Sequence, residues 1–324
     1  MSVKFGYFLS SEEFSPRELV RQARLAEEAG FEALWISDHY HPWTEEQGES
    51  GFVWATIGAL SQAVDLPITT AVTCPLVRIH PAIIAQAAAT SQVLAEGRFR
   101  LGVGTGEALN EHVTGARWPG ASERLEMLEE AVLIIKRLFT GEQVTHRGTH
   151  YRVETARLYT IPDTPPPIYM SAFGPKSLKL ATRIADGYIN ISPEAGVIEK
   201  YREAGGKGPA LGGTKVCWAP DEQTGAETIR RIWPNELIPG EAGQILPNPR
   251  QFQQLSQLVT VDEVRKQRAC GPDPQRHFEV LKQYVDAGYD EVYVNQIGPD
   301  QDAFFDFYAK EVLPELRRHA ESRQ

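Results

Sequence analysis

The stretch "KFGYFLSSEEFSPRELVRQARLAEEAG", residues 4–30, contains two hydrophobic periods in succession. Its opening, "KFGYFLS", is a short apolar and aromatic run of strand length. From Ser15 the period changes, and Leu19, Ala23, Ala26 and Ala29 recur at helical spacing. Ser15 suits the N-cap, Pro16 the first turn and Gly30 the stop. The stretch therefore reads as one strand followed by one helix.

Working outward, the unit repeats. "ALWIS" precedes a helix over 51–64, "ITTAVT" one over 81–95, and "FRLGVG" one over 121–139. After a hairpin expected in "VTHRGTHYRV" come "PIYMSA" with a helix from Pro175, then "GYINIS", "TKVCWAP" and "EVYVNQIG". Eight such strands over about 300 residues predict an α/β fold with parallel pairing closed into a (β/α)8 TIM barrel, a single domain over residues 1–324. No G-x-G-x-x-G follows the first strand, which argues against a dinucleotide-binding open sheet. Residues 234–260, "PNELIPGEAGQILPNPRQFQQLSQLVT", break the rhythm with four prolines and read as an unstructured insertion after the seventh strand, a lid for the barrel mouth.

The 324 residues are 42% hydrophobic and 23% charged, with a formal net charge of −10. Phosphate backbones attract basic stripes, and none is present, so no nucleic-acid partner is expected. No window approaches the roughly 18 apolar residues of a spanning helix, and "MSVKFGYFLSSEEF" lacks the pattern of a signal peptide. A cytoplasmic protein without membrane contact is expected. Cys74, Cys217 and Cys270 are widely spaced and read as reduced, structural thiols.

Barrel chemistry sits at the C-terminal ends of strands. "SDHYHPW", residues 37–43, places Asp38, His39, His41 and Trp43 there; a histidine titrating near neutrality can accept a proton, and a carboxylate can orient it. A solvated polar loop would also account for these residues. "GVGTGEALNE", residues 102–111, carries glycines that admit a ligand close to the backbone and places Glu107 at the turn, although a plain strand-to-helix turn has the same composition. "SAFGP", residues 171–175, leads into a helix N-terminus, either an anion site or a simple cap. "TAVTCP", residues 70–75, carries no chemistry by itself. His39 and His41 have no third ligand nearby, so no metal is expected.

Together, "SDHYHPW", "HPAIIAQAAAT" and "GVGTGEALNE" resemble the coenzyme F420-dependent dehydrogenases of the luciferase-like superfamily, especially the glucose-6-phosphate dehydrogenase branch and its secondary-alcohol dehydrogenase relatives. The resemblance implies a TIM barrel with an insertion after strand seven, a homodimer, and an 8-hydroxy-5-deazaflavin at the C-terminal mouth. It implies that His39 removes the substrate hydroxyl proton, that Trp43 lines the pocket, and that Glu107 serves the pyrimidine edge of the ring. Asp38 and Asn110 would contact the cofactor, and a cis peptide between Ala71 and Val72 would support its central ring. Thr105, Gly106, Ala172, Phe173 and Gly174 would hold the ribityl and phosphate groups.

The sugar-phosphate branch reads its phosphate with two lysines and an arginine. Here the first region is "ISPEAG", with no lysine before Lys200. Arg250 in the insertion, with Lys266 and Gln267 further on, are the substrate candidates. A phosphate-free alcohol, or a differently held sugar phosphate, is therefore expected. FMN is the second cofactor candidate, in a luciferase-like monooxygenase, and a non-catalytic flavin or deazaflavin carrier is the third reading. A carrier has no need of His39, Trp43 and Glu107 together.

Overall fold

The computed structural model describes residues 3–194 and 196–323. Strands β1 (Lys4–Leu9), β2 (Leu34–Ile36), β3 (Ile68–Thr70) and β4 (Phe99–Val103) are followed by a hairpin of β5 (Val144–Arg147) and β6 (Arg152–Ala156). Strands β7 (Ile168–Ser171), β8 (Gly187–Asn190), β9 (Ala210–Val216) and β10 (Glu291–Gln296) complete the set. The barrel closes in the order β1-β10-β9-β8-β7-β4-β3-β2, every pair parallel, with the antiparallel hairpin outside it. This is the expected (β/α)8 barrel.

The first unit forms for the reasons its sequence suggests. The Ser15 side chain accepts from the Glu18 amide, Pro16 opens the helix Pro16–Glu28, and Gly30 takes φ +91° just beyond its end. That helix buries Leu19, Gln22, Ala23 and Ala26 against the barrel. Other helices match with shifted ends: 51–64 contracts to Val53–Leu60, while Pro81–Leu94 and Ala121–Leu138 hold their length. Strand β9 begins four residues before "TKVCWAP", because Gly212 and Gly213 hide its start. Gly213 cannot carry a side chain: a Cβ there would lie 2.8 Å from the Trp35 ring.

Inside the barrel, Trp35 stacks on Tyr293 at 4.2 Å and 10°, surrounded by Tyr169, Ile189 and Leu211. Towards the N-terminal ends of the strands, Arg100 donates to both oxygens of Glu291 at 2.8 and 2.9 Å. That end is therefore plugged, and open space remains at the other.

Residues 234–260 depart from the unstructured stretch expected of them. They hold a 3₁₀ turn Pro234–Leu237, helices Ala242–Ile245 and Pro249–Leu255, and a second 3₁₀ turn Ser256–Leu258. Pro234 and Pro249 open first turns, where a missing N–H does no harm, and Asn248 caps by accepting from Gln251. Flanking helices Glu222–Ile232 and Val261–Gln267 join them around Ile229, Trp233, Val259 and Val264.

Candidate active site

A cavity of about 530 Å³ opens at the C-terminal mouth. His39 and Trp43 line it from the loop after β2, Ala71 and Val72 from that after β3, and Thr105, Gly106 and Glu107 from that after β4. Ala172, Phe173 and Gly174 contribute from the loop after β7. Glu12 from the loop after β1 and Ile191 from that after β8 join them, with Trp233 and, from the insertion, Glu236, Gly243 and Gln244, so loops distant in sequence meet.

The peptide between Ala71 and Val72 is cis. A Cβ on Gly104 would fall 2.6 Å from the Val72 side chain, so only glycine lets the end of β4 approach this wall. Gly106 adopts φ +69°, a conformation glycine takes freely, and a Cβ there would meet Cys74 Sγ at 2.5 Å.

His39 is the best-connected group on the wall. Its Nδ1 lies 3.1 Å from the His41 carbonyl and 3.0 Å from Nδ2 of Asn110. Its Nε2 lies 3.4 Å from Oε1 of Glu12, a carboxylate with a side chain 3% exposed. Glu12 Oε2 accepts from Ser37 at 2.5 Å and from Ser10 at 3.1 Å. Burial pushes the Glu12 carboxyl up, but His39, Lys215 and the Ser37 hydroxyl outweigh it and hold Glu12 below the usual range. Trp43 packs 5.1 Å from the His39 ring, and edge-on to Phe252 of the insertion at 5.1 Å.

Asp38 and Asn110 stand elsewhere than expected: neither lines the cavity. Asp38 has a fully buried side chain whose Oδ1 accepts from Arg78 at 2.6 Å and whose Oδ2 accepts from Thr73 at 2.8 Å. Neighbouring residues of an extended segment point to opposite sides, so His39 faces the cavity and Asp38 the barrel wall. Asn110, 2% exposed, accepts at Oδ1 from the amides of Tyr40 and His41 at 2.9 and 3.2 Å. Its amide nitrogen faces His39 and donates to Glu107 Oε2 at 3.3 Å, which ties the two loops together.

Arg250 is exposed and lines neither cavity. Lys266 and Gln267 line a second chamber of about 400 Å³, which shares Phe8, Trp35, Ile191, Lys215 and Glu236 with the first. Sequence reasoning missed Glu12, Lys215, Glu236 and Arg268. Glu12 follows β1 and satisfies the strand-end rule that singled out His39, and Lys215 is a lone cation within an apolar strand run.

The wall fits the deazaflavin that the resemblance implies. Gly104 packs directly against Val72 with no room for a Cβ between them, and both line this cavity. Arg124, 4% exposed, lines the same cavity with a buried Nε that has no partner, a cation suited to an anionic tail. Among the described residues no group of three His, Cys, Asp or Glu side chains could hold a metal ion, and no helix is long and apolar enough to cross a membrane.

A family model described as luciferase-like monooxygenase matches residues 3–291. The F420-dependent glucose-6-phosphate dehydrogenase of Microbacterium testaceum (strain StLB037) is 38% identical over 331 residues, spanning 98% of each chain. The protein of the same name from Nakamurella multipartita is 36% identical, spanning 97% of each chain. A solved F420-dependent secondary alcohol dehydrogenase, in complex with an F420-acetone adduct, has a TM-score of 0.89 and 31% identity, covering 98% of this chain and 99% of its own. The coenzyme F420-dependent tetrahydromethanopterin reductase of Methanopyrus kandleri, with a TM-score of 0.77 and 22% identity over 98% of this chain and 100% of its own, shares the fold.

Proposed function

Because the chain belongs to the luciferase-like monooxygenase family, we propose that it is a coenzyme F420-dependent dehydrogenase acting on a CH–OH donor: an alcohol, a sugar or a sugar phosphate. The similarity to F420-dependent enzymes over nearly the whole chain supports this reading. When bound, F420 supplies the hydride acceptor, its C5. Every other task falls to the chain.

His39 takes the substrate hydroxyl proton at Nε2, in the tautomer whose Nδ1–H donates to the His41 carbonyl. Glu12, ionised and buried, then stabilises the imidazolium. Trp43 packs against the base and, with the insertion as a lid, excludes water from it. Glu107, oriented by Asn110, would supply or stabilise a proton at the pyrimidine edge of the ring. Ala71 and Val72 support the ring system, and Thr105, Gly106, Ala172, Phe173 and Gly174, with Arg124, hold the polar tail. Asp38 and Asn110 act as positioning residues behind that wall.

The single observation that carries this reading is the Glu12–His39 pair on the wall of the same cavity as the Ala71–Val72 cradle. Titration with F420 and FMN in parallel, followed by tryptophan fluorescence, tests it. Saturable binding of F420 supports the proposal; binding of FMN alone overturns it in favour of the monooxygenase reading. We further propose one domain, assembled as a cytoplasmic homodimer. Three unpaired cysteines agree with a reducing compartment, and Phe52, Ile83, Val93 and Leu94 are large apolar side chains left exposed on or beside the helices Val53–Leu60 and Pro81–Leu94, where a second copy would cover them.

A further inference from the structure

The two chambers meet at a neck built around one carboxylate. Glu236, in the first turn of the insertion, lies with Oε1 3.0 Å from Lys215 Nζ and Oε2 3.1 Å from Arg268 Nη2. Lys215 rises from β9 with a side chain 7% exposed, its ammonium 4.1 Å from the Phe8 ring centre and 4.2 Å from that of Trp233. Glu236 and Lys215 line both chambers, whereas Arg268 lines only the second.

Without Glu236, Lys215 and Arg268 would face this neck with no carboxylate bonded to either, a site suited to a phosphate. With it, an incoming dianion meets a carboxylate already seated between both partners. Burial raises the Glu236 carboxyl, yet the two cations outweigh burial and keep it charged, so the obstacle persists at neutral pH. We propose that Glu236 is a specificity-determining residue: it occupies the anion position between Lys215 and Arg268 and selects an uncharged hydroxyl compound over its phosphate ester. Discrimination arises from an element that repels the wrong ligand as well as from contacts to the right one. The proposal rests on the dehydrogenase reading above and narrows its substrate class.

The test uses full-length protein loaded with F420 and inorganic phosphate as the probe, measured by calorimetry at neutral pH. Glu236→Gln is expected to bind phosphate at least tenfold more tightly than the wild type, and Glu236→Gln/Lys215→Met to lose that gain. Equal phosphate affinity in wild type and Glu236→Gln overturns the proposal, as does a gain that survives loss of Lys215. Should Glu236→Gln not fold, wild-type kinetics decide. A kcat/KM for free alcohols or sugars at least tenfold above that for their phosphate esters supports the role of Glu236, and the reverse preference overturns it while leaving the dehydrogenase reading intact. A phosphate gain in Glu236→Gln, with no F420 reduction by any donor, supports Glu236 as the anion gate and instead removes the dehydrogenase reading.

Discussion

Oε1 of Glu12 lies 3.4 Å from Nε2 of His39, and its other oxygen is held by Ser37 and Ser10. The carboxylate is fixed in place and ionised, so it favours a proton arriving on the imidazole. Glu12→Gln removes that charge with little change of shape. We expect kcat to fall roughly 10- to 100-fold, less than loss of the base itself, with F420 affinity retained in a binding titration. An unchanged kcat would reduce Glu12 to a structural acid.

Glu107 reaches the cavity from the turn after β4 and is oriented by Asn110 at 3.3 Å. Glu107→Gln keeps the hydrogen-bonding shape and removes the titratable proton. Turnover is expected to fall by about tenfold or more while the Kd for F420 changes little. A matching loss in Kd would make Glu107 a binding contact rather than a proton carrier.

Arg78 donates to Asp38 at 2.6 Å and lies 3.5 Å from Glu111, joining three side chains behind the cavity wall. Burial also pushes Glu111 up to about 7, which makes this cluster sensitive to the loss of its one cation. Arg78→Met leaves Asp38 buried without its partner and is expected to destabilise the fold by about 3–5 kcal/mol. Asp38→Asn in the same chain should restore part of it, both read from urea unfolding.

His277 is fully buried, with Nδ1 2.9 Å from the Tyr308 hydroxyl and Nε2 3.0 Å from the Gly271 carbonyl. Burial pulls its pKa down from 6.5 to about 4. The folded pKa of this base is depressed, so its contribution to stability is complete above 6.5 and is lost as pH falls towards 4. The amount at stake is on the order of 3 kcal/mol. In urea unfolding between pH 7.5 and 4, the advantage of wild type over His277→Gln should shrink as pH falls; a constant gap would show that folding leaves the His277 pKa at its unfolded value.

The barrel was legible because strand-length apolar runs alternate with helical periods along the chain, as in residues 4–30. The helices Ala242–Ile245 and Pro249–Leu255 were not, since four to seven residues are too few to express a helical period. Within the site, strand-end position found His39, Trp43 and Glu107 on the cavity wall. It could not say that Asp38, one residue from His39, turns the opposite way into an ion pair. Glu236, Lys215 and Arg268 come from three separate elements, and only the closed fold brings them together.

The most direct test is anaerobic reduction of F420, followed by loss of its absorbance and fluorescence, with a panel of free sugars, sugar phosphates and secondary alcohols. Wild type is expected to reduce F420 with at least one CH–OH donor, while His39→Ala still binds F420 but turns over about 10²- to 10⁴-fold more slowly. F420 left oxidised by every donor, or a His39→Ala rate equal to wild type, would contradict the account.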